Sequence, residues 1–263
     1  MSRFIDKLNE VMKAVPQPVG FRATQSASPK PKMLVVAGLA QANINSLADY
    51  VAGADAGVLP MSELSSGAKS LQKISKVAPD IPWGVWLRGI DQKGIEQIMK
   101  AGCDFVVFSA ANTSLAMLQS DEGGKILQVE ASIGEGLLRA VNELPVDAVL
   151  IDGEREEKHI LTWHDLMIFR RFTALLTKPL LVCIPSDVTA SELQALGEAG
   201  VSGVIVGVGV GQPAERINEL HQTIDKLTFP LQRRRRKEGA LLPYISGETS
   251  VVTEEEEEEE EEE

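Results

Sequence analysis

Residues 180–209 read LLVCIPSDVTASELQALGEAGVSGVIVGVG, and this stretch decides the fold. It opens on an unbroken apolar run, Leu180–Pro185, and closes on another, Val201–Gly209. Neither run alternates polar with apolar, the pattern of a strand whose two faces are both covered, as in a parallel sheet. Between them, Thr189-x-x-Glu192 carries the reciprocal capping signature of a helix start, and Leu193 and Leu196 repeat at helical spacing. Ala199-Gly200 then supplies the glycine that turns a helix sharply into the next strand. The stretch is one strand–helix–strand unit.

Working outward, six further runs have the same character: Met33–Ala40, Asp55–Pro60, Trp83–Gly89, Cys103–Ala110, Ile126–Ser132 and Val146–Asp152. Segments of helical period lie between them, such as Ile95–Ile98–Met99 and Leu137–Leu138–Val141, and Thr162-x-x-Asp165 marks a second capped helix start. Ala52-Gly53 and Ala101-Gly102 echo Ala199-Gly200, with the glycines 49 and 98 residues apart, one repeat and then two. Eight strands alternating with helices predict an α/β fold, a single (β/α)8 TIM barrel over 33–230. Residues 1–32 are expected to form an N-terminal helix and a linker. The helix would gather Phe4, Ile5, Leu8, Val11 and Met12 on one face. That face reads either as a lid over the N-terminal mouth of the barrel or as a membrane-surface or partner-binding helix.

Charge has to be divided before it means anything. The chain of 263 residues carries a formal charge of −12, but Glu254–Glu263 alone is an unbroken glutamate run. Residues 1–232 hold 21 basic and 26 acidic side chains, a mild −5 that offers no nucleic-acid surface. Residues 231–263 are expected to be a disordered acidic tail: a basic cluster, Arg233–Lys237, an apolar island, Leu241–Ile245, and then the glutamates. The tail reads as a nucleic-acid or targeting patch, as a docking peptide for an unidentified protein partner, or as a solvated end. With 44% apolar and 24% charged residues the chain has ordinary globular composition, and no run is long enough to span a membrane. Cys103 and Cys183 each sit in an apolar run and read as small core residues of a reducing, cytoplasmic setting.

In a parallel barrel the working groups stand at the C-terminal strand ends. The ends here offer Arg88 on the third strand, Glu130 on the fifth and Asp152 on the sixth. On the fifth strand Leu127 and Val129 must pack outward on helices, so Gln128 and Glu130 face the barrel interior. On the third strand Arg88 shares parity with Trp86, and Gly84 would leave room for the indole. The trio reads as a carboxylate base steered by an arginine with an acidic partner, or as a buried ion pair that fills the barrel axis. No strand end carries lysine, which argues against a Schiff base. His159 and His164 are five residues apart, off the spacing that sets two imidazoles on one helical face, so no metal is expected. A nucleophile elbow is absent as well.

The stretch from Pro185-Ser186-Asp187 through Glu198-Ala199-Gly200 to Val204-Ile205-Val206-Gly207 resembles the seventh-to-eighth-strand segment of the phosphate-binding (β/α)8 barrels. That group includes thiamine-phosphate synthase, indole-glycerol-phosphate synthase, the tryptophan synthase α chain and flavin-dependent nitronate monooxygenases. The resemblance implies a phosphate, or the phosphate of FMN, held near Ser186, Gly207 and Gly209, with Gly211 and Pro213 shaping the next helix start. Pro185-Ser186 replaces the glycines usual after the seventh strand, and Gly207-Val208 the Gly-Ser usual after the eighth. Two functions follow from this reading. One is an acid–base enzyme of lyase or isomerase type on a small anionic, phosphorylated metabolite, with Arg88, Glu130 and Asp152 as working groups. The other is a non-catalytic barrel scaffold whose charged tail mediates interactions.

Overall fold

The computed structural model describes residues 2–13, 32–39, 51–61, 64–87, 92–115, 123–152, 160–208 and 215–228. Eight strands are present: β1 Leu34–Leu39, β2 Ala56–Met61, β3 Trp83–Leu87, β4 Phe105–Ser109, β5 Gly124–Glu130, β6 Ala148–Asp152, β7 Leu180–Ile184 and β8 Gly203–Val208. Each pairs in parallel with the next, and β8 closes on β1, giving a closed barrel in sequence order. All eight expected runs are strands. The fourth, sixth and eighth begin two residues later than their apolar runs, because Cys103, Val146 and Val201 belong to the turns that enter the barrel.

Strand parity sorts the apolar residues into two shells. Leu34, Val58, Val107, Ile126, Leu150 and Ile205 fill the barrel interior. Their neighbours, such as Val35, Val106, Leu127, Val129 and Val204, pack outward against the helices. The outward parity of Leu127 and Val129 is therefore as the sequence dictates. Gly84 departs from expectation: a Cβ there would lie 2.2 Å from the Phe105 ring, so the space it leaves is filled from β4 and not by the Trp86 indole.

Seven α-helices accompany the strands among the described residues: α1 Arg3–Met12, α2 Leu64–Val77, α3 Gln92–Lys100, α4 Glu135–Ala140, α5 Trp163–Leu175, α6 Ala190–Ala199 and α7 Arg216–Lys226. Both expected capping boxes form. Thr162 accepts from the Asp165 N–H while the Asp165 carboxylate accepts from the Thr162 N–H, and Thr189 and Glu192 do the same at α6. Gly53, Gly102 and Gly200 all adopt φ between 83° and 93°, the left-handed conformation that a side chain disfavours. Gly200 is the C-cap of α6.

α1 closes one end of the barrel. Phe4 and Leu8 are fully buried and Ile5 nearly so, within the interior shell. The Phe4 ring lies 4.6 Å from the Phe105 ring at the N-terminal end of β4. Gly124, at the start of β5, admits Ile5, whose Cγ1 would lie 2.4 Å from a Cβ at that position. Asp104 fixes the helix start by accepting from the Ser2 hydroxyl at 2.7 Å and from the Arg3 and Phe4 N–H groups at 2.9 and 3.0 Å. The amphipathic face is thus spent as a lid on the N-terminal mouth. Each large apolar side chain withdrawn from water there contributes roughly 1.5–3 kcal/mol.

Candidate functional site

The inward positions nearest the C-terminal mouth are Gly38, Pro60, Trp86, Ser109, Gln128 and Cys183, with Glu130 and Gly207 at the rim. The mouth has two unlike sides. On one, Gly38 of β1 and Gly207 of β8 are register partners. Among the described residues, a Cβ on Gly207 would meet nothing within 4 Å, whereas one on Gly38 would press on Ile205 Cγ2 at 3.2 Å. Gly38 is thus covered by Ile205, while Gly207 has no described side chain over it. On the other side, Glu130 of β5 and Asp152 of β6 are register partners at the last residues of their strands. Glu130 is exposed, and its carboxylate accepts from the Ser132 hydroxyl at 3.1 Å.

Lower in the mouth, Trp86 donates its indole N–H to Gln128 Oε1 at 2.5 Å, spanning from β3 to β5 above β4. Both side chains are half-buried. Cys183 on β7 packs against the interior shell and is also half-buried. That corrects its expected place as a plain core residue: one pleat from the strand end, the interior is no longer sealed. Cys103 does behave as core, since burial pushes its thiol up to about 12 and the Phe105 carbonyl takes its weak hydrogen bond at 3.0 Å.

The turn after β7 holds Ser186, half-buried, whose carbonyl accepts from Arg216 Nε at 2.6 Å. Arg216 is the first residue of α7; Pro213, which the sequence favours as a helix start, lies outside the described residues. Arg171 of α5 similarly donates to the Ala131 carbonyl at 2.5 Å, next to Glu130. Sequence reasoning missed both arginines. These acceptors, the Ser186 and Ala131 carbonyls, are main-chain groups that leave no mark on composition or spacing. The faint signal was electrostatic, because a cation is unfavourable in the first turn of a helix, where Arg216 stands.

Of the expected site residues, Glu130, Asp152 and Gly207 lie at the C-terminal strand ends and Ser186 in the turn beside them. Arg88 and Gly209 fall outside the described residues, as does Gly211. The structure brings Glu130 beside Asp152 in register. Among the described residues no three His, Cys, Asp or Glu side chains gather in a metal-binding arrangement, and no helix is long and apolar enough to cross a membrane.

No protein-family model matches this chain, and no curated protein resembles it in sequence. Solved structures share its architecture. A thiamine phosphate pyrophosphorylase from Pyrococcus furiosus superposes with a TM-score of 0.58 at 11% identity, covering 74% of this chain and 96% of its own. A tryptophan synthase α-subunit variant from Pyrococcus furiosus gives 0.57 at 10% identity, covering 75% and 98%. A protein from Aquifex aeolicus VF5 gives 0.58 at 12% identity, covering 86% and 97%. At such identities the likeness establishes the TIM-barrel fold and leaves the chemistry to the residues.

Proposed function

We propose that the C-terminal mouth binds a small phosphorylated metabolite and carries out acid–base chemistry on it, of lyase or isomerase type. The observation that carries this reading is Gly207, the register partner of Gly38, where no described residue lies within 4 Å of a Cβ. An anion needs backbone approach without side chains in the way, and a glycine at a strand end gives it that. Across the mouth, Glu130 and Asp152 end neighbouring strands in register, and we assign them the roles of base and acid. Arg88 is assigned to steer them, and Ser186 and Gly209 to flank the anion. The phosphate of FMN would fit the same assignment. The setting is a reducing cytoplasm, and the tail is assigned to a protein partner.

A second reading, a non-catalytic barrel that serves as an interaction scaffold, is favoured by one feature of the outer surface. Trp163 and Met167 of α5 are 83% and 68% exposed. Trp163 lines an apolar groove of about 470 Å³ between α5 and α6, together with Phe169, Ala195 and Leu196.

Thermal unfolding of the full chain against phosphorylated metabolites and FMN separates the two. A ligand at a hundred times its Kd stabilises the fold by about 2.7 kcal/mol. The enzyme reading expects such a shift, abolished by Gly207→Asp. No shift for any ligand would overturn it in favour of the scaffold.

A further inference from the structure

Arg216 breaks a local rule. It stands at the first position of α7, where the positive end of the helix repels a cation. Each of its three guanidinium nitrogens is nevertheless engaged. Nε donates to the Ser186 carbonyl at 2.6 Å and Nη2 to the Val188 carbonyl at 2.9 Å, while Nη1 pairs with Glu219 Oε2 at 3.1 Å. The side chain is only 24% exposed. Three nitrogens of one rigid plane thus meet three acceptors, two of them in the turn that joins β7 to α6.

With each nitrogen held by a protein acceptor, this guanidinium acts first on the backbone that it binds. It ties the turn after β7 to the helix after β8, the two segments that border the Gly207 side of the mouth. With both carbonyls turned toward Arg216, the turn has a fixed backbone course, and its N–H groups keep their directions before any ligand arrives. We infer that Arg216 is a positioning residue of the mouth, bracing the Ser186–Val188 turn so that its backbone is preorganised for a phosphate; this rests on the anion-binding reading above. The brace acts through the turn and not through its own charge.

Lysine separates the two roles. Arg216→Lys keeps the positive charge but offers a single point, which cannot reach Ser186, Val188 and Glu219 in one plane. Arg216→Met removes the charge as well. Neither change touches Ile217, Leu220 and Ile224, which anchor α7 in the core. The experiment uses the full-length chain, with inorganic phosphate and pyrophosphate as probes in calorimetry, and hydrogen exchange at the amides of Asp187 and Val188. Both variants are expected to bind phosphate at least tenfold more weakly and to exchange those amides at least tenfold faster, with far-UV circular dichroism unchanged. Phosphate affinity retained by Arg216→Lys and lost by Arg216→Met would make Arg216 a charge donor and overturn the brace. Unchanged exchange in both variants would also overturn it. If the wild-type chain binds neither probe, the anion-binding reading fails, and exchange at Asp187 and Val188 still decides whether Arg216 holds the turn.

Discussion

Trp86 and Gln128 sit on strands that do not touch, yet the indole N–H of one donates to the amide oxygen of the other at 2.5 Å. The bond crosses above β4 and draws the β3 and β5 sides of the mouth together. A half-buried polar group that loses its partner costs roughly 1–3 kcal/mol. Trp86→Phe and Gln128→Leu should each destabilise by that order, and together by less than their sum. A double-mutant cycle in urea should give a coupling of roughly 0.5–3 kcal/mol. Strict additivity would mean that the bond contributes nothing in solution.

Two inward glycines should respond oppositely to the same methyl group. At Gly84 a Cβ would lie 2.2 Å from the Phe105 ring, an aromatic already locked between Phe4 and the interior shell. Gly84→Ala forces that ring or the strand to move and should cost about 1–3 kcal/mol. At Gly207 the same atom would meet no described residue within 4 Å. Gly207→Ala should leave stability within about 0.5 kcal/mol while weakening phosphate binding by narrowing the mouth. Chemical denaturation measures the first effect and ligand-induced thermal shift the second.

The Gly84 site also marks where sequence stops being informative. Parity along a single strand correctly set Leu127 and Val129 outward, because a strand covered on both faces must send alternate residues to each shell. The same reasoning gave Gly84 to Trp86, its neighbour on the strand. The residue that fills the space is Phe105, which the register sets beside Gly84 on β4. Register depends on barrel closure, a property of all eight strands at once. The capping boxes at Thr162 and Thr189 were legible because they lie within four residues of sequence. The braces at Arg171 and Arg216 were not, since they bind carbonyls 40 and 30 residues away.

The cap of α6 should be sensitive to pH. The Thr189 hydroxyl and N–H both donate to Glu192 Oε2 at 2.7 Å and hold its carboxyl below the usual glutamate range. A carboxyl depressed by folding stabilises the fold above its unfolded value, and the gain disappears as pH falls through the folded value. Glu192→Gln mimics the protonated side chain. It should cost about 0.3–1 kcal/mol at neutral pH, an exposed charge at a helix start being worth no more. The gap between variant and wild type should close in acid, below the ordinary glutamate range. Denaturation midpoints across pH 3–7 would show it, and a gap independent of pH would assign the cap to geometry alone.

The lid at the opposite end depends on a single carboxylate. Asp104 accepts three hydrogen bonds from the first residues of α1, one from the Ser2 hydroxyl and two from backbone N–H groups with no other partner at a helix start. Asp104→Ala removes all three and leaves Phe4, Ile5 and Leu8 to hold the helix by apolar contact alone. Bonds to a charged acceptor contribute more than neutral ones, so the expected loss is roughly 2–3 kcal/mol. Asp104→Asn keeps one oxygen and should fall between alanine and wild type. Cleavage at Lys7 by trypsin should accelerate in the same order, because the helix must leave the barrel to be cut. Phosphate binding at the C-terminal mouth should stay unchanged in Asp104→Asn, since the interior shell from Val58 to Ile205 separates the two ends. A parallel loss of binding would mean that the lid sets the geometry of the mouth through the packed core.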